Sequence, residues 1–101
     1  MRKLFQRHTV VRHSLASSDL RQVFLDLDLA ILGAPSEEYD EYARQIRQEY
    51  CHYNWQDYRT GRKAVLKRLL ARDRLYATDH FSQLYEYQAR RNIEREIESL
   101  K

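Results

Sequence analysis

Only two glycines and one proline occur in 101 residues, where an average chain of this length holds about seven and five. An all-β sandwich or barrel needs a turn every ten residues or so, and this chain lacks the residues that make them. Long helices remain, and the length suits one domain, so residues 1–101 are read as a single helical unit. Apolar residues make up 43% and charged residues 33%, which fits a globular chain and argues against disorder.

The apolar spacing predicts four main helices. The first runs from Ser18 to Leu32, with Ser17 or Ser18 as cap and Asp19 in its first turn. Leu20, Val23, Phe24, Leu27 and Ile31 form one stripe, and Leu25, Leu29 and Leu32 form a second. A helix apolar on two sides is expected at the centre of a bundle. Gly33 is expected to stop it in the left-handed conformation. Ser36 is expected to cap the second helix, whose stripe is Tyr39, Tyr42, Ala43, Ile46 and Tyr50. The third lies within Asn54 to Ala71, carrying Tyr58, Val65, Leu66, Leu69 and Leu70. Gly61 inside it implies either a helix starting later or a close backbone contact. The fourth runs from a Thr78 cap to Leu100, with Phe81, Tyr85, Ala89, Ile93 and Ile97 recurring every four residues and Leu84 and Leu100 beside them. Residues 1–17 are basic, and a short helix and a frayed tail both remain open there. The expected architecture is an all-α helical bundle.

The formal charge of +3 is too slight to diagnose a nucleic-acid partner. The charge is uneven, with acids in excess over residues 36–57 and seven bases against one acid over 59–74. Two solvated helix faces attracting each other across a bundle are the preferred reading over a phosphate-facing surface. No apolar run reaches the roughly 18–20 residues of a membrane span, and the start has no apolar core of signal-peptide length. A cytoplasmic location is expected. The single cysteine, Cys51, excludes an internal disulfide framework and a cysteine-built zinc site.

Two carboxylates, Asp26 and Asp28, interrupt the apolar first helix. At about 100° per residue from Leu20, Asp26 falls near 240°, beside Asp19 on a solvent face. Asp28 falls near 80°, between the two apolar faces. Asp28 is therefore the acid expected to be partly buried. A buried carboxylate needs a cation, a metal or hydrogen-bond donors, and an arginine partner such as Arg21 is the ordinary solution.

His8, His13, His52 and His80 include no pair at the i,i+4 spacing of helical metal ligands. No glycine-rich phosphate loop and no nucleophile elbow occurs, and Ser14, Ser17 and Ser18 lack a catalytic setting. Cys51 and His52 are sequence neighbours, a placement that rarely gives nucleophile-base geometry.

Several segments taken in order carry a resemblance. They are Phe24-Leu25-Asp26-Leu27-Asp28-Leu29-Ala30-Ile31-Leu32-Gly33, Tyr42-Ala43-Arg44-Gln45-Ile46-Arg47-Gln48-Glu49-Tyr50, Tyr58-Arg59-Thr60-Gly61-Arg62, Val65-Leu66, Leu70-Ala71-Arg72 and Ala89-Arg90-Arg91-Asn92. Over residues 9 to 100 the chain resembles the C-terminal half of a bacterial family of predicted metal-dependent phosphohydrolases of the HD superfamily. In that superfamily a His, a His-Asp doublet and a later Asp hold one or two divalent metals such as Mn, Mg or Fe. The metal activates water for attack on a phosphate ester.

The resemblance implies that Asp28 is the later metal-binding Asp, and that Thr9 and His13 are site-adjacent. Arg59 and Arg62 match a family motif that either binds phosphate or holds helices together. A phosphorylated small molecule or nucleotide is the implied partner. No His-Asp dipeptide occurs in residues 1–101, and one Asp cannot fix a divalent cation. The expectation is a truncated or degenerate member that binds no metal and lacks hydrolase activity alone. The alternative is a non-enzymatic helical interaction module, with self-association as one form.

Overall fold

The last helix organises the chain. A computed structural model describes residues 17–101. It contains α1 (Ser17–Asp28), a 3-10 turn (Ala30–Gly33), α2 (Ser36–Glu49), α3 (Trp55–Leu70) and α4 (Asp79–Ser99). No strand occurs among the described residues, so the architecture is the all-α bundle that the scarcity of turn formers predicts. The turn, α2 and α3 all pack on α4. Ala89, Asn92, Ile93 and Glu96 of α4 are buried at the three-and-four spacing of one helical face. Leu66 of α3, Tyr39 of α2 and Leu32 of the turn complete the core beside them.

α3 and α4 begin with the side-chain caps their sequences offer. Asn54 accepts from the Asp57 amide at 2.8 Å, and Thr78 accepts from the Phe81 amide at 3.3 Å, each meeting a donor that the helix itself leaves free. α2 departs from expectation. Pro35 occupies the cap position with extended backbone, no side chain caps the helix, and Ser36 is its first residue. Proline's fixed φ sets the entry angle, and Glu37 and Glu38 in the first turn favour the positive helix end.

The first helix differs most. It ends at Asp28, and the chain tightens into the 3-10 turn instead of continuing to Leu32. The turn lies against α4, where Asn92 donates to the carbonyls of Leu32 (2.9 Å) and Ala34 (2.8 Å). Tyr76 donates to the Leu29 carbonyl at 2.9 Å. Asn92 thus supplies donors where the turn's own ladder ends, and Tyr76 adds a second donor to a carbonyl that already accepts from the Leu32 amide at 3.0 Å. Gly33 is not left-handed, since no described glycine has positive φ. It is required by proximity instead, because a Cβ there would stand 2.6 Å from the Tyr85 Cβ. α1 is not central either. Leu25 is 51% exposed, and over residues 20–28 only Asp26 is buried.

α3 runs unbroken through Gly61, and an added Cβ there would meet nothing within 4 Å. Neither a later helix start nor a close backbone contact explains that glycine. The acidic and basic runs do not pair with each other among the described residues. The pairs of Arg62 with Glu96 (2.7 Å) and Arg95 with Asp40 (2.8 Å) both involve α4.

Candidate functional site

Asp28 is partly buried, as its helical angle implies, but Asp26, expected on a solvent face, is the more deeply buried of the two. Asp26 is fully buried and accepts from the Ala77 amide (2.6 Å), the Thr78 amide (2.9 Å) and the Thr78 hydroxyl (2.6 Å). Three donors offset the loss of water that burial imposes on this side chain. This acid ties α1 to the loop before α4 and is not on a solvent face.

Asp28, two residues on, is half-buried. Its side chain makes no hydrogen bond and no ion pair among the described residues, so neither Arg21 nor another described arginine neutralises it by contact. It lines a cavity of about 380 Å³ with Leu29, Arg72, Arg74 and Tyr76. Arg74 is held in place, donating to the carbonyls of Tyr76 (2.9 Å) and Ala77 (2.7 Å) and to Asp79 (2.6 Å). Arg72 is exposed, and its own carbonyl accepts from Arg90 at 2.9 Å. Burial, and after it the charges of Glu86 and Asp26, push the Tyr76 phenol well above its ordinary range. Tyr76 therefore stays neutral and keeps donating to Leu29.

The loop carrying these groups is clamped from α4. Arg90 donates to the carbonyls of Leu70 (3.1 Å), Arg72 (2.9 Å) and Asp73 (3.3 Å), and Glu86 accepts from the Leu75 amide at 2.8 Å. The cavity wall is thus rigid on the side that presents the guanidinium groups.

Arg62 lies elsewhere, in a different cavity. It forms a two-pronged ion pair with Glu96 at 2.7 and 3.0 Å, its side chain only 11% exposed. Tyr39 donates to the same carboxylate, and Arg62 sits over the Tyr42 ring at 5.7 Å. Burial, followed by the hydrogen bond to Glu96, pushes the Tyr39 phenol far up. Arg59 donates to Gln56 (2.9 Å) and to the Leu100 carbonyl (3.4 Å). Both arginines thus have helix-joining partners, one of the two roles their motif left open. Glu96 escapes a reading of motifs, and its only sequence signal is its place three residues after Ile93 on the buried face of α4.

Thr9 and His13 lie outside the described residues. His52 is exposed and stacks on Tyr53, with centroids 4.4 Å apart. His80 is exposed beside Phe81, and Cys51 is exposed. Among the described residues no three His, Cys, Asp or Glu side chains gather as a metal site. Asp28 beside two guanidinium groups does not by itself fit a divalent cation, which needs several ligands.

Comparison with protein-family profiles, with curated proteins and with solved structures found no match. No helix among the described residues is long and apolar enough to cross a membrane.

Proposed function

We propose that this chain is the C-terminal helical portion of an HD-type metal-dependent phosphohydrolase, supplying Asp28 and a guanidinium-lined wall to a site that further ligands must complete. One contrast carries the reading. Of two acids on one helix, Asp26 accepts three hydrogen bonds from the fold, while Asp28 lines a cavity and its carboxylate has no partner among the described residues. A half-buried carboxylate without a partner is unfavourable for folding alone, and unexplained polar groups of this kind gather at functional sites. Arg72, exposed on the same wall, suits a phosphorylated small molecule or nucleotide, because a guanidinium group matches phosphate oxygens in charge and geometry. A cytoplasmic location belongs to the same proposal.

The chain alone is expected to show no hydrolysis of p-nitrophenyl phosphate with Mn²⁺ above that of the ion itself. A polypeptide carrying in addition a His and a His-Asp doublet at the family's positions is expected to hydrolyse it, and Asp28→Asn to abolish the rate. An Asp28→Asn protein hydrolysing at the parent rate overturns the proposal.

A further inference from the structure

A groove of about 530 Å³ lies between the end of α2, the loop after it and α3. It shares no residue with the Asp28 cavity, and the role inferred for it does not rest on the phosphohydrolase reading. Tyr50, Tyr53, Gly61 and Val65 line it together with Asp57 and with Arg62, whose guanidinium is committed to Glu96. Tyr50 is 46% exposed, Tyr53 48% and Val65 43%. Side chains of this size clustered on one surface mark an interaction face more often than isolated ones do.

Gly61 adds a second observation. A glycine inside a helix is unfavourable, and it is kept where another backbone must come close. Nothing described in this chain comes close, since a Cβ at Gly61 would meet no atom within 4 Å. Charge is the third. The outer face of α3 has Asp57 near its start and Arg68 near its end, both exposed. Among the described residues, Arg68 has no ion pair and Asp57 bonds only within its own capping turn, to Asn54.

We infer that this face docks a second copy of the chain, the two α3 helices running antiparallel and crossing at Gly61. Such a contact is isologous, so each feature must complement itself across a twofold axis. With Gly61 on the axis, position 65 of one copy lies opposite position 57 of the other, and 68 opposite 54. Val65 of each copy then enters the groove of the other, beside Tyr50 and Tyr53. Arg68 comes within three residues of the partner's Asp57, about 4.5 Å along the helix axis, within a guanidinium's reach. A parallel pair would set Asp57 against Asp57 and Arg68 against Arg68, so charge selects the antiparallel arrangement.

Sedimentation equilibrium across a dilution series from millimolar to sub-micromolar chain tests this. A reversible monomer-dimer equilibrium is expected, with Gly61→Leu and Val65→Asp each weakening it by at least about tenfold. Helix content by circular dichroism is expected to stay unchanged, because an added Cβ at Gly61 meets no described atom and Val65 is an exposed helix position outside the core. Arg68→Asp and Asp57→Arg are each expected to weaken the dimer, and the double exchange to restore it, which a folding defect cannot imitate. Three results overturn the proposal. They are a chain monomeric at millimolar concentration, a dimer indifferent to Gly61→Leu and Val65→Asp, or a double exchange that recovers nothing.

Discussion

Asp26 and Thr78, fifty-two positions apart, are joined by a 2.6 Å hydrogen bond from the threonine hydroxyl to the carboxylate. The same hydroxyl oxygen accepts from the Phe81 amide and so caps α4. One side chain thus starts the central helix and anchors α1 to it. Asp26→Ala would leave the Ala77 and Thr78 amides without their acceptor, at a cost of about 3 kcal/mol. Thr78→Ala removes the cap and one donor, costing about 1–2 kcal/mol, and Thr78→Ser recovers most of that. Urea unfolding checks the order, with Asp26→Ala the most damaging.

The buried pair of Arg62 and Glu96 holds α3 to α4. Arg62→Met leaves Glu96 buried beside Tyr39 without its cation, and about 3–5 kcal/mol of stability is expected to be lost. Adding Glu96→Gln removes the uncompensated charge yet leaves an acceptor for Tyr39. More than half of the loss is then recovered, a coupling that a double-mutant cycle reads directly. Additive losses would show that the two groups act independently.

The helices are legible in the sequence where local chemistry decides. Asn54 and Thr78 cap the helices they precede, and Ala89 and Ile93 sit on the buried stripe that their four-residue spacing announces. Of the two aspartates, Asp28 is legible as partly enclosed and Asp26 is not. Both lie within the regular helix Ser17–Asp28, so their helical angles hold, but an angle does not say what the rest of the chain brings to that side. Asp26 is buried by Ala77 and Thr78, whose amides arrive from a loop about fifty residues later, and no local period encodes that meeting. Gly33 shows the same limit, since glycine after a helix suggests a left-handed cap and only the fold reveals Tyr85 against it.

The two glycines should respond to alanine with opposite signs. Gly33→Ala drives a Cβ into Tyr85 and is expected to cost about 1–3 kcal/mol by overpacking. Gly61→Ala meets no neighbour and is expected to stabilise the monomer by about 0.5–1 kcal/mol through helix propensity. Denaturant midpoints at concentrations where the chain is monomeric distinguish them.

Alkali should unfold the protein through its buried phenols. Tyr39 and Tyr76 are each 1% exposed, and burial raises both pKa values in the folded state. Below the ordinary phenol value both states keep the proton, and the stability these groups give is fully present. Above about pH 10 the unfolded chain releases the proton first, so stability falls by up to about 1.4 kcal/mol per pH unit for each phenol. Phenolate absorbance and helix loss should therefore rise together, and Tyr39→Phe should flatten the alkaline slope.

Central to the proposed site is that Asp28 is available to a ligand, since no described residue engages its carboxylate. The most direct measurement is urea unfolding of Asp28→Asn at neutral pH, set against the parent chain and Asp26→Ala. Stability within about 0.5 kcal/mol of the parent is expected, as for a substitution that touches no fold contact. A loss equal to that of Asp26→Ala would make Asp28 a second structural carboxylate and contradict its assignment to the site.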